Sequence, residues 1–386
     1  MLIFIILVDY FDIIYLMKKT NISSKNSDLI SILNTHFDNS LNLARVKFIS
    51  MFIIALCKRQ TVNFSKLSKA FDTSADANSS LRRIQRFIAG FSLNSDLIAR
   101  LIFSLLPDKE SLTLSIDRTN WKFGTIDINI FMLGVVYQGV AFPLIFTMLS
   151  KRGNSNTQER IDLINRYIRL FGKNTIDCIV ADREFVGKSW IKFLNNNKLR
   201  FYIRVRQNFN VFLPHKNKKV KVFWLFNAYK VNEFIFYHKI VKINGELCYL
   251  SGSKLKGNDF LILISFNKPE TSKEYYKQRW QIEMTFKAMK SSGFDIEKTH
   301  LQELERIEKL ILLVMIAFVW SYKIGIYLHQ NCKAIQIKKH GRKAISIFKY
   351  GLDYISNCLL NNKMKRKINI YQFLSCTYVV GLYLFQ

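Results

Sequence analysis

The stretch between residues 112 and 205 constrains the chain most. Three strand-like runs follow one another: LTLSI (112–116), NIFMLGVVY (129–137) and VAFPLIFTML (140–149). They are rich in β-branched and aromatic residues, and Gln138-Gly139 supplies the turn between the last two, so an antiparallel meander is expected. KRGNSN then reads as a loop. Ser155 with Gln158 offers a capping box for a helix running to about Leu170. DCIVA (177–181) reads as a short buried strand, residues 187–197 as a helix, and LRFYIRV (199–205) as a further strand. Three strands followed by alternating helix and strand call for a mixed sheet with helices on its faces.

That βββαβα order is the order of an RNase H-like core, so the expected fold class is α/β with helical regions on either side. Residues 27–106 carry helical periodicity, as in Leu41 to Cys57. The segment SSLRRIQRFIAG follows, with Arg82, Arg83 and Arg86 close together and Gly90 as a stop. Two helices joined near TSADANSS (73–80) read either as a small DNA-binding module or as the solvated basic face of an ordinary bundle. Pro107-Asp108-Lys109 marks a boundary. Residues 208–267 break the α/β rhythm with VKVFWLF, EFIFYHKIV, an Asn244-Gly245 hairpin signal, ELCYLSG and DFLILISF, a β-rich insertion. Pro269 and Thr271 then open a long helix to about Ser292, with Thr271 and Glu274 as a capping box, and further helices are expected over 303–330 and 342–361. The expected regions are a helical N-terminal part (17–106), the core in two parts (107–207 and 268–330) around the insertion (208–267), and a helical C-terminal part (331–386).

Two apolar runs need separate treatment. MLIFIILVDYFDIIYL (1–16) lacks a basic leader, is interrupted by Asp9 and Asp12, and is short for a membrane span. Met17-Lys18-Lys19 is a more ordinary start, so residues 1–16 are expected to be dispensable, either a misassigned start or an extra packed helix. Leu310 to Trp320, bounded by Lys309 and Lys323, is too short to span and reads as a buried helix.

The formal net charge is +30. Such an excess of Lys and Arg repels itself unless something anionic screens it, and nucleic acid is the usual partner because each phosphate contact releases counterions. An anionic membrane surface is the alternative, and an AT-rich coding bias also raises the charge. The six cysteines are scattered, with no C-x-x-C pair and no histidine at zinc spacing, which argues against a zinc site or a disulfide framework and suits a reducing cytoplasm.

Two aspartates stand where strands are expected to end: Asp117 after LTLSI and Asp182 after DCIVA. Carboxylates at the ends of neighbouring strands, with a third from a helix, can hold two divalent ions about 3.5–4 Å apart. Singly, such an Asp is more often a turn or cap residue. The third group lies in YYKQRWQIEMTFKAMK. At 100° per residue, Tyr276, Arg279, Glu283 and Lys290 fall at about 0°, −60°, −20° and −40°, on one narrow face. A carboxylate flanked by Tyr, Arg and Lys suits a metal ligand beside phosphate-gripping groups, and a solvated charged face is the alternative.

The Y-(2)-R-(3)-E-(6)-K spacing matches the YREK signature of a large group of bacterial insertion-sequence DDE transposases. IDRTNW around Asp117 and ADREFVGKSW around Asp182 resemble the first two catalytic blocks of that group, and the resemblance runs from about Ile32 to Thr377, including FLSCT. It implies an RNase H-like core with a β-strand insertion. It implies Asp117, Asp182 and Glu283 as ligands of two Mg²⁺ ions, for which Mn²⁺ can substitute, and Tyr276, Arg279 and Lys290 as DNA contacts. The implied reaction nicks DNA to free a 3′-hydroxyl, passes through a hairpin, and joins the end to a target. The implied partners are double-stranded DNA, as inverted-repeat ends and target, and a second copy of the chain in synapsis, with residues 303–386 contributing. The implied setting is the bacterial cytoplasm, at the nucleoid. An inactive DNA-binding remnant and a structure-specific nuclease on the same core are the competing readings. Weaker candidates each carry two readings. Glu184 either supports a metal ligand or forms a surface salt bridge. Arg183 either touches DNA or pairs with Glu184. Trp224 either stacks on an unpaired base or belongs to the core. His340-Gly341-Arg342-Lys343 is either a DNA contact or a solvated charge run.

Overall fold

The computed structural model describes residues 27–361 and 368–375, apart from 39, 124 and 125. The expectations for residues 1–16 and for a start at Met17 lie outside the described residues, as do the last two residues of FLSCT.

The N-terminal part is helical: α1 (Ser27–Phe37), α2 (Leu43–Arg59), α3 (Phe64–Ser68), α4 (Ala77–Gly90) and α5 (Ser95–Ser104). Helices α2 to α5 each start at an Asn or Asp whose side chain accepts a backbone N–H of the first turn: Asn42, Asn63, Asp76 and Asn94. That repeated cap sets where each helix begins.

The core follows the expected order: β1 (Leu112–Phe123), β2 (Ile126–Tyr137), β3 (Val140–Leu149), α6 (Thr157–Phe171), β4 (Ile176–Ala181), α7 (Lys188–Asn196) and β5 (Phe201–Val205). Strands β1, β2 and β3 pair antiparallel, whereas β4 pairs parallel with both β1 and β5, giving the RNase H-like arrangement β3-β2-β1-β4-β5. The capping box of α6 is Asn156 with Glu159, one residue later than Ser155 with Gln158. Ser155 is buried and its hydroxyl accepts from Arg160 Nε at 2.9 Å, so it is not free to cap.

The insertion supplies β6 (Asn210–Leu213), β7 (Lys218–Lys221), β8 (Ile235–Ile243), β9 (Glu246–Lys254) and β10 (Phe260–Ser265). VKVFWLF is strand only at its start, because Val222–Leu225 form a 3₁₀ turn. Asn244 and Gly245 make the β8–β9 turn with φ of 51° and 91°, the left-handed pair that a two-residue hairpin needs. The inserted strands do not form a sheet of their own. They continue the core sheet, in the order β5-β10-β9-β8-β6-β7, and β10 returns antiparallel against β5.

The expected long helix after Pro269 is broken. A 3₁₀ turn (Pro269–Thr271) leads into α8 (Ser272–Lys277), a second 3₁₀ turn covers Gln278–Trp280, and α9 (Gln281–Lys290) follows. Thr271 caps nothing. Its hydroxyl is 2.7 Å from the Tyr202 hydroxyl and donates to the Lys268 carbonyl at 3.1 Å, so the Thr271–Glu274 box does not form.

Helices α10 (Leu304–Asn331) and α11 (Ile347–Leu360) follow, with a 3₁₀ turn at Ile370–Leu374, and residues 342–346 lie outside α11. The α10 helix is longer than the run Leu310 to Trp320 suggests. By length and composition it could cross a membrane, yet 89% of its apolar window is buried inside the fold. It packs on α2, α5 and α11, so N- and C-terminal helices share one hydrophobic core with the sheet. Gly325 and Gly351 let α10 and α11 touch backbone to backbone. A Cβ on Gly351 would stand 1.9 Å from the Ser321 carbonyl oxygen, and one on Gly325 would stand 2.0 Å from that of Ile347.

Candidate active site

Parallel pairing between β1 and β4 ends at the rung Ile116–Ala181, and the next residue on each strand is an aspartate, Asp117 or Asp182. Asp117 does not close its strand as the sequence suggested. Strand β1 continues to Phe123 on β2 alone, because the chain beyond β4 turns away at Asp182 into the 3₁₀ turn Arg183–Phe185. Each aspartate accepts the amide of the arginine that follows it: Asp117 from Arg118 at 2.7 Å, and Asp182 from Arg183 at 2.6 Å.

The segment α8–α9 lies over these strand ends. Its middle 3₁₀ turn packs on β1 and β4, with the Ser115 hydroxyl donating to the Arg279 carbonyl at 3.3 Å. Helix α9 is pinned to the β2–β3 turn, where Gln281 accepts the Gly139 amide and Thr285 accepts the Ala141 amide, each at 3.2 Å. This docking aims Arg279 at the acids. The guanidinium is buried and lies 3.4 Å from Asp117 Oδ2 and 2.8 Å from Glu283 Oε1. It also sits over the exposed Trp280 ring at 4.5 Å. Asp182, Glu283, Arg279 and Tyr276 line one cleft of about 460 Å³, with Arg183 and Arg204 at its wall.

The electrostatics record the crowding. Burial, with Glu283 and Glu184 nearby, pushes the Asp117 carboxyl up to about 7 against the opposing pull of the Arg118 amide and Arg279. Burial pushes the Tyr276 phenol up to about 12. For Arg279 burial is the largest influence and lowers the pKa. Tyr276, Glu283, Asp117 and Asp182 together outweigh it and hold the guanidinium charged. Three carboxylates are hard oxygen donors of the kind Mg²⁺ takes, so the donor set fits a divalent cation. As the side chains stand, no three His, Cys, Asp or Glu groups among the described residues are close enough to hold an ion, and Arg279 is drawn between two of the acids.

Of the four residues expected on one helix face, Tyr276, Arg279 and Glu283 line the cleft, the first two buried and Glu283 half-exposed, whereas Lys290 does not line it. Lys290 is tied to the Glu297 carboxylate and the Asn120 carbonyl, each at 3.1 Å, and lies over Trp121. Glu184 pairs with Arg118, not with Arg183, which is exposed on the cleft wall. Trp224 is 61% exposed, so the core reading is wrong for it. Arg82 and Arg86 are exposed on α4 and Arg83 is half-buried, and none lines the cleft. Residues 340–343 lie exposed in the loop before α11. Sequence reasoning missed Arg118, Arg204 and Trp280. The signal for Arg118 was present, since both aspartates are followed directly by arginine.

The family described as Transposase DDE domain matches residues 113–320, more than half of the chain. No curated protein matches it. Among solved structures, the piggyBac transposase in a synaptic complex with hairpin DNA is similar at 14% identity. The match covers 94% of this chain and 83% of that one, with a TM-score of 0.41, and likeness at that level assigns no residue a role.

Proposed function

The chain belongs to the Transposase DDE domain family and is a transposase, and on that premise we propose that it binds the inverted-repeat ends of an insertion sequence, nicks them to free 3′-hydroxyls, and joins these to target DNA. The observation that carries this reading is one buried arginine paired with Asp117 of β1 and Glu283 of α9, beside a cleft that Asp182 and Glu283 line and further arginines wall. Asp117, Asp182 and Glu283 would hold two Mg²⁺ ions, with Mn²⁺ able to substitute. Bound there, the ions would supply activation of the attacking water or 3′-hydroxyl and stabilisation of the leaving oxygen. Arg183 and Arg204 offer planar donors to the phosphates on either side of the scissile bond. Trp280, exposed at the cleft, offers a ring to a base beside the cut. Arg279 exchanges its carboxylate partners for phosphate when the acids take up other ligands. A hairpin at the transposon end, synapsis by two copies of the chain, and action at the nucleoid of a bacterial cell belong to the same proposal.

The test is isosteric removal of charge. Asp117→Asn, Asp182→Asn and Glu283→Gln should each abolish nicking and strand joining on a labelled end duplex while gel shift still shows binding. Wild-type cutting by Glu283→Gln would sink the proposed site. Nicking by the wild-type protein without joining would favour a structure-specific nuclease.

A further inference from the structure

Beyond the rung Ile116–Ala181 no ladder hydrogen bond joins β1 to the chain leaving β4, yet the two aspartates sit just there. A side-chain ion pair crosses the gap. Arg118 Nε and Nη2 reach the two carboxylate oxygens of Glu184, each at 3.3 Å, a fork on a carboxylate. Both halves are anchored on further elements. Arg118 also donates to Asn129 at 3.2 Å and Asn154 at 3.0 Å, and Asn129, almost fully buried, is fixed by the carbonyls of Lys151 and Gly153. On the other side the Glu184 carbonyl accepts from the buried Arg160 at 3.1 Å. The Arg118 side chain is only 13% exposed and its donors are engaged, so it is not offered to a phosphate.

We infer that the Arg118–Glu184 pair is a clamp that fixes the separation of Asp117 and Asp182, making both members positioning residues for the acidic site. The inference rests on the transposase reading above. Removing one partner of a pair this buried lowers stability, whereas partners behind metal ligands typically govern affinity by 10- to 100-fold.

The experiment is a Mn²⁺ titration of the full chain with an end duplex, followed by electron paramagnetic resonance, alongside melting temperature and gel shift. Arg118→Gln and Glu184→Gln should each raise the half-saturating Mn²⁺ concentration roughly 10- to 100-fold at a temperature well below the melting of either variant, with end binding near wild type. The exchange Arg118→Glu with Glu184→Arg should recover most of the loss, and Arg118→Lys, which keeps the charge without the fork, should fall between. Wild-type Mn²⁺ binding in both single variants overturns the clamp. So does a loss of Mn²⁺ binding confined to temperatures within each variant's melting transition, since the pair would then serve folding alone. Asp117→Asn in the same titration separates the two ideas: if it binds Mn²⁺ as wild type does, the acidic-site reading fails instead.

Discussion

Arg279 is the residue whose surroundings say most about the site. It is a buried cation serving two carboxylates, and its Nε has no hydrogen-bond partner. Truncating one member of a buried ionic cluster costs about 3–5 kcal/mol, mostly because the charges left behind lose their partner. The half-exposed Glu283 places Arg279→Gln at or below the lower end of that range. The variant should melt lower than wild type in EDTA, and Mg²⁺ should raise its melting temperature more than it raises that of wild type. Equal Mg²⁺ responses would mean that the acids do not compete for cations. His36 gives a pH-dependent counterpart away from the site. Burial, with Lys323 adding, lowers its pKa from 6.5 against a bond to the Leu374 carbonyl. The unfolded chain therefore takes up the proton first, so stability falls as pH drops below about 6.5 and levels off below the folded pKa. His36→Gln should flatten that limb of a melting-temperature profile without altering the steeper loss at lower pH from carboxylates such as Asp96, whose pKa is lowered by Arg166 and Arg169 despite partial burial. An unchanged limb would clear His36 of the effect. At this scale the sequence located Asp182 just after β4 and Asp117 just after the last β1–β4 rung, although β1 runs on past Asp117. It said nothing of Arg118 with Glu184, because that contact depends on how two strand ends diverge.

At the scale of elements, local patterns located most strands and the β2–β3 and β8–β9 turns, since β-branched runs, Gln138-Gly139 and Asn244-Gly245 act within a few residues. What escaped depends on distant partners. The break at Gln278–Trp280 follows from the docking of Arg279 on β1, and Thr271 is diverted from capping by Tyr202. The glycine contact between α10 and α11 is equally silent in the sequence, and it makes a sharp prediction. Gly351→Ala should destabilise the fold by more than about 2 kcal/mol, because a methyl group meets the Ser321 carbonyl with no room to yield. Gly90→Ala, with nothing within 4 Å of its added carbon, should be neutral or slightly stabilising. Comparable chemical-denaturation midpoints for the two variants would contradict the packing described.

For the whole molecule the charge of +30 sets the terms of association. If six to ten phosphates are contacted, affinity for DNA should fall roughly 10³- to 10⁵-fold between 50 and 200 mM salt, and a flat response in a fluorescence-anisotropy titration would reject the electrostatic footprint. The ten-stranded sheet has a consequence in time. Chains are made from the N-terminus, and β5, the future neighbour of β10, emerges long before it. Until residues 260–265 arrive and pair, the half-made protein carries two of the three acids proposed for the site and an open strand edge, a known invitation to unwanted association. Glu283 lies further still along the chain. A chain stopped within the insertion would therefore keep that edge unpaired and lack the third acid proposed for the site, so it would carry the hazard of association without a complete acidic set.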